Sequence, residues 1–230
     1  MTETLFYAAI LVPCLIIAIV FHEVAHGLMA SALGDPTARE QRRLSLNPLR
    51  HVDTVGTLLV PGALALLGGP IFGWAKPVPV NARRLDNPRF GMMAVAAAGP
   101  GTNLLLALVG AVLLGVLAGS GVGQGTFAAS IAGTMLTTFI LINIFLALFN
   151  LLPIPPFDGS HIVGGLLPRS MAAQWQKLQQ VGMLLLVALI ASTWAFPGFT
   201  LVEHTVLPPV MWLEERYLAL AEWIAGGLAR

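Results

Sequence analysis

The sequence predicts an all-α polytopic membrane protein with about five to six membrane-embedded helices and a small membrane-associated β region between the first helix and Phe90. Three observations carry that prediction. Hydrophobic residues fill 57% of the 230 positions and charged residues only 10%, against roughly 25% charged in a soluble domain. Apolar runs recur at or above the roughly 20 residues that a helix needs to cross a bilayer, and mean hydropathy is +0.82. Ten of the twelve Lys and Arg residues lie between Arg39 and Lys177, in the connections between those runs. Charge distributed in that way sets membrane topology and argues against a nucleic-acid partner.

A first transmembrane helix occupies residues 1–34, built on the run Leu5 to Leu33. That run has no basic start and is too long for a signal peptide. Cys14, the one cysteine, lies inside it, which excludes an intrachain disulfide and fits a packing role. Residues 35–89 read as the β and re-entrant region. Val55 to Gly68 is short and broken by Pro61 and Gly62, so it suits a re-entrant or shallow segment. Gly73 to Asn81 reads GWAKPVPVN, whose prolines restrict the residues before them to extended conformations. A strand edge there must be buried, line a wet cavity or pair with an incoming chain.

Residues 90–152 hold two more transmembrane helices, Phe90 to Ala118 and Thr126 to Leu152, joined by the Gly-rich turn Gly119 to Gly125. A Pro/Asp loop follows over 153–173. Val181 to Ala195 anchors a transmembrane helix over 174–196. In 197–230, Glu214, Glu215, Arg216 and Glu222 punctuate Trp212, Leu213, Leu218 and Trp223, the pattern of an amphipathic interfacial helix. One membrane domain over 1–230 accounts for the whole, with no internal repeat. Arg39, Arg42, Arg43 and Arg50 assign the far end of the first helix to the cytoplasm and the N-terminus to the outside. Lys76, Arg83, Arg84 and Arg89, then Arg169 and Lys177, mark the same side for the later connections.

Chemistry enters at His22-Glu23-Val24-Ala25-His26, an HExxH sequence inside the first apolar run. Residues i and i+4 of a helix lie nearly above one another, so both imidazoles can face one tetrahedral zinc. Glu23 can take a proton from a water that attacks a carbonyl carbon. The plain alternative is an accidental pentapeptide, or two histidines satisfied by helix–helix hydrogen bonds. Inside an apolar run, where an Asp or Lys costs about 2.5 to 3.5 kcal/mol, polar groups are usually functional. A third ligand must come from elsewhere. Asp158, in Asn150-Leu-Leu-Pro153-Ile-Pro155-Pro156-Phe-Asp158-Gly159, is a candidate, with the prolines ending the preceding helix. Alone, Asp158-Gly159 reads as an ordinary turn.

HExxH in one transmembrane helix followed by NxxPxxPxDG at the end of a later one resembles the site-2 protease family of intramembrane zinc metalloproteases. The likeness covers roughly Phe21 to Gly159, and it is to the small bacterial members that have no PDZ-like or nucleotide-sensing domain. The resemblance implies one zinc ion held by His22, His26 and Asp158, with Glu23 as general base. It implies that the amide of Asn150 donates to the substrate carbonyl or its oxyanion. Gly99-Pro100-Gly101-Thr102-Asn103 is a family-like element, in which Gly99, Pro100 and Asn103 serve packing or oxyanion support. Trp74, Ala75, Lys76, Pro77, Val78, Pro79 and Val80 are similar to an extended region beside the family's active site, expected to pair with substrate as an added strand.

On this resemblance the function is intramembrane endopeptidase action within or near transmembrane segments, as in regulated intramembrane proteolysis. Its partners are the bilayer and a single-pass or signal-anchor membrane protein, and its location a bacterial inner membrane with the active site towards the cytoplasmic side. Two rivals belong to other classes. A metal transporter needs a polar path, and the runs here hold almost no other ionisable groups. A catalytically idle binding scaffold has no use for an intact Glu23. His161 reads as a supporting partner or substitute ligand of the site or as a solvated turn residue, His51 as an interfacial or loop-organising residue, and His204 has no assigned role.

Overall fold

A computed structural model describes residues 2–66, 73–195 and 201–229. Ten α-helices are found among them: α1 (Thr2–Ala32), α2 (Thr37–Glu40), α3 (Val60–Leu66), α4 (Pro88–Gly119), α5 (Phe127–Asn150), α6 (Asp158–Leu166), α7 (Arg169–Gln180), α8 (Gly182–Ala195), α9 (Leu201–Thr205) and α10 (Leu207–Leu228). Short 3-10 turns at Pro48–His51 and Ala82–Arg84 and a π-helix at Thr54–Leu59 join them. Helices α1, α4 and α5 are long and apolar enough to cross a membrane. Their exposed side chains include Leu11, Val12, Leu105, Val109, Leu113 and Leu141. Such surfaces suit hydrocarbon, where no transfer out of water is lost by leaving them uncovered.

Three expectations change. No strand occurs among the described residues, so the β region is absent as such; Gly73 to Asn81 forms neither helix nor ladder. Pro77 and Pro79 enforce extension but remove the N–H donors that a ladder needs. Three spans are found among the described residues rather than five to six. The expected helix over 174–196 breaks at Val181 into polar α7 and the 14-residue α8, because the Gln-rich turn before the break has no place in an apolar span. Leu67 and Gly68 of the re-entrant expectation, and residues 196–200 before the amphipathic segment, lie outside the described residues.

The chain groups into two compact units. One comprises Met1–Ala18, Pro100–Asn150 and Leu201–Arg230. Ile10, Cys14, Ala18 and Ile142 form its buried core, with Leu15, Phe139 and Leu146 against them. The Cys14 thiol sits 3.7 Å from the Met135 carbonyl, a weak donor in a packed position. Asn103 is fully buried and donates to the Ala18 carbonyl at 3.1 Å and to Asn143 Oδ1 at 2.8 Å. It therefore ties together α1, α4 and α5. Helix α10 packs on α4 through small residues: a Cβ on Gly115 would lie 2.6 Å from the Ala221 carbonyl oxygen, and one on Gly119 2.8 Å from Ala225 Cα. The segment read as interfacial is thus also a packed helix.

The other unit comprises Ile19–Gly99 and Leu151–Thr200. Helix α1 ends there in a Schellman turn, with Gly34 at φ 98° and the Asp35 N–H donating to the Ala30 carbonyl at 2.9 Å. Ala30, Leu85 and Val95 form a core flanked by Met29, Leu33, Val80 and Met92. Buried Asp35 accepts from the hydroxyl and N–H of Thr37 and, at 2.6 Å, from the Asn81 N–H. The end of the extended segment is thereby fastened to the end of α1.

Candidate active site

The HExxH residues sit on the last three turns of α1, where helical spacing sets the His22 and His26 rings 4.6 Å apart at 88°. Asp158 opens α6, directly after the proline-rich turn in which Pro155–Pro156 is cis. Its Oδ2 lies 3.1 Å from His22 Nε2 and 3.3 Å from His26 Nε2. The ligand atoms of all three residues fall within 4.8 Å of one another. Gly159 lets α6 close against the Leu151 and Leu152 carbonyls, which a Cβ there would strike.

The donor set fits a metal ion. His26 Nδ1 lies 2.7 Å from the Val95 carbonyl; a carbonyl only accepts, so Nδ1 carries hydrogen, and in the neutral ring Nε2 presents its lone pair. Asp158 Oδ2 is buried and has no hydrogen-bond partner. Electron pairs thus converge from a carboxylate and imidazole nitrogens in a largely buried space, the chemistry that a borderline-soft cation such as zinc satisfies. The Val95 bond is the outer support that fixes a ligating imidazole's tautomer. Burial works against the Asp158 charge; in the absence of a cation, imidazoles protonated on Nε2 outweigh it by hydrogen bonding and charge and hold its pKa down to about 2.

Gly99 touches this arrangement directly. A Cβ there would come within 2.5 Å of the His26 Cε1 and Nε2 atoms and 2.6 Å of His22 Cε1. The glycine expected to serve packing is thus the wall against which both imidazoles lie. Pro100 and Asn103 belong to the other unit, and the hydrogen bonds of Asn103 give it the packing role. Asn150, at the end of α5, also belongs to that unit, and its Nδ2 donates to the Leu146 carbonyl at 2.9 Å. That bond uses one of its two amide hydrogens.

Glu23 Oε2 accepts from the Val78 N–H at 2.8 Å. The carboxylate beside the first imidazole is thus held by the extended segment, which closes on α1 because Gly27 is small: a Cβ there would meet Val78 Cγ1 at 2.8 Å and Leu44 Cδ2 at 2.5 Å. Further bonds fix the segment. The Trp74 N–H donates to the Gly56 carbonyl at 3.0 Å and the Lys76 N–H to the His51 carbonyl at 2.8 Å. Arg43 donates to the Lys76 carbonyl at 2.8 Å and reaches the Pro77 carbonyl at 3.3 Å with the same nitrogen. Buried His51 has its Nε2 2.7 Å from the Ser45 carbonyl and organises the loop as expected.

His161 faces a cavity of about 440 Å³ lined also by Arg89, Met92, Trp175 and Gln179. Burial lowers its pKa, with Asp158 opposing and His26 reinforcing the shift. Arg89 closes the end of α6 by donating to the Gly165 and Leu167 carbonyls at 2.7 and 2.6 Å. His204 lies in α9, in the unit without the imidazole pair. Gly27, Asp35 and Val95 were not expected from sequence. Gly27 stands directly after HExxH and Asp35-Pro36-Thr37 has the form of an Asx turn, so both left a trace; Val95 acts through its carbonyl and left none.

A family model described as peptidase family M50 matches residues 120–190, the stretch that contains Asn150 to Gly159. A protein of Bacillus subtilis (strain 168) named "Putative zinc metalloprotease YwhC" is 36% identical over 196 residues, which make up 84% of this chain and 86% of that protein. No solved structure matches the chain.

Proposed function

This chain belongs to peptidase family M50, the site-2 protease family, and is a metalloprotease; from that premise we propose that it is an intramembrane zinc endopeptidase that hydrolyses peptide bonds within or near transmembrane segments. One observation carries the reading: three metal-ligand side chains converge beside a carboxylate, at the end of a helix apolar enough to cross a bilayer. His22, His26 and Asp158 would hold one zinc ion. Zinc supplies a Lewis acid there, which acidifies water and polarises a peptide carbonyl.

The chain's own residues do the rest. Glu23 takes the proton from the attacking water and returns it to the leaving amine, and the Val78 N–H keeps its carboxylate aimed. Asn150 donates its second amide hydrogen to the developing oxyanion, a contribution of about 3 kcal/mol where such donors have been removed from hydrolases. An extended substrate segment lies along Trp74 to Val80. The substrate is a single-pass or signal-anchor membrane protein in the same bilayer, cut towards the cytoplasmic side.

Replacing Glu23 by Gln keeps the ligand set and removes the base. Cleavage of membrane-anchored substrates should vanish while bound zinc, measured by elemental analysis of the purified protein, stays at the wild-type level. Membrane-fragment proteomics of cells carrying wild type against Glu23→Gln would identify the substrates; identical fragment sets would sink the proposal.

A further inference from the structure

Helix α10 carries charges at a depth where α4 has none. Contacts run in the same order along both helices: the Tyr217 hydroxyl donates to the Leu104 carbonyl at 3.3 Å, a Cβ on Gly115 would lie 2.6 Å from the Ala221 carbonyl oxygen, and one on Gly119 2.8 Å from Ala225 Cα. The two helices are therefore parallel. Glu215 stands before Ala221 by about 9 Å of helical rise, which sets it level with Val109 of α4, and Glu222 is level with Val116. The exposed apolar side chains Leu105, Leu108, Val109, Val112, Leu113 and Val116 mark the part of α4 that faces hydrocarbon. Glu215 lies at the middle of that stretch and Glu222 at its end.

The side of α10 turned away from α4 exposes Trp212, Glu215, Arg216, Ala219, Glu222 and Trp223, spaced as one face of a helix. Arg216 lies over the Trp212 ring, 5.4 Å from its centroid. Adjacent residues of a helix diverge, so Arg216 does not neutralise Glu215. Among the described residues, neither Glu215 nor Glu222 has a side-chain ion pair or hydrogen bond. Lipid tails offer a carboxylate nothing, and ionisable groups inside a membrane face protein or water.

What covers this face must bring positive charge. A second copy of the chain does not: α1, α5 and residues 90–119 of α4 hold no Lys or Arg, so a copy would bring Arg216 together with further carboxylates. We propose that the exposed face of α10 docks a different membrane protein, through a transmembrane helix with Lys or Arg at two positions seven residues apart, one opposite Glu215 and one opposite Glu222. Seven residues are about two turns, so both cations share one side of the partner helix. Ala219, small and midway between the carboxylates, lets the two backbones approach. The inference requires that α4 crosses the bilayer and is independent of the cleavage reaction.

Binding of a designed helix tests it. The probe is a dansyl-labelled synthetic transmembrane peptide of Leu and Ala with two Lys seven residues apart in its apolar stretch; a control peptide has Met at both positions. Each is added to vesicles holding the full-length protein, and Förster transfer from the protein's tryptophans to dansyl reports binding. The Lys peptide should bind about tenfold more tightly than the Met peptide or better, and Glu215→Gln combined with Glu222→Gln should remove that preference. Glu215→Lys combined with Glu222→Lys should instead select a peptide with Glu at both positions, a result that only a folded variant can give.

Equal binding of the Lys and Met peptides, binding of neither, or a preference that survives in the Gln variant overturns the proposal. Transfer between differently labelled copies of the protein that the Lys peptide fails to displace would assign the face to a second copy and overturn it equally.

Discussion

At the scale of single residues, the groups that do chemistry and the groups that hold them in place have different visibility. His22, His26, Glu23 and Asp158 announce themselves through residue type and spacing. Their supports are a carbonyl at Val95, an amide at Val78 and the missing side chain of Gly99; backbone atoms carry no residue signature, so the sequence could not reveal the first two. Gly99→Ala tests the support without touching a ligand. Its methyl would enter the space of both imidazoles, so zinc retention and cleavage should each fall at least tenfold in a protein that still purifies as a folded monodisperse species; wild-type zinc content would show that the wall is not needed. Asp158→Ala removes the only carboxylate of the trio and should lower metal content and turnover together. Retention of zinc at the wild-type level would remove Asp158 from the ligand set.

At the scale of elements, extension was legible and pairing was not. The prolines of GWAKPVPVN forecast an extended chain, but its partners are loop carbonyls and side chains scattered over Glu23, Asp35, His51 and Gly56, and no local pattern encodes contacts so distant in sequence. Asp35 joins two of these elements and gives the unit an acid-sensitive point. Burial opposes its charge, but the Thr37 hydroxyl, the Asn81 and Thr37 N–H groups and Arg84 outweigh it and hold its pKa below the ordinary 3.8. A carboxylate lowered on folding contributes stability above its unfolded pKa and loses it as pH falls through the folded value. Thermal unfolding in detergent should therefore show stability falling below about pH 4, and Asp35→Asn should flatten that part of the profile while costing about 2 kcal/mol at neutral pH. An unchanged profile would mean that other carboxylates carry the acid response. In the other unit, Gly115→Leu should separate α10 from α4 and lower thermal stability, whereas Gly226→Leu, where a Cβ meets nothing, should not.

At the scale of the whole molecule, the number of crossings decides on which side each end lies, and here sequence and structure give different forecasts. A helix over 174–196 would add a crossing. The structure instead gives α8 14 residues, about 21 Å of helix against a hydrocarbon layer of about 30 Å, preceded by polar α7. The run of apolar letters was readable; the break at Val181, which depends on where the Gln-rich turn finds its partners, was not. With α1, α4 and α5 as the crossings and the basic residues after α1 held inside, the turn around Gln124 is expected outside and Glu40 in the cytoplasm. Since Cys14 is the sole cysteine, a Cys14→Ser background carrying Gln124→Cys or Glu40→Cys reads each position independently. A membrane-impermeant maleimide applied to intact cells should label the Gln124 variant, and should reach the Glu40 variant only after permeabilisation. Labelling of the Glu40 variant from outside would reverse the orientation and move the proposed cleavage away from the cytoplasmic side.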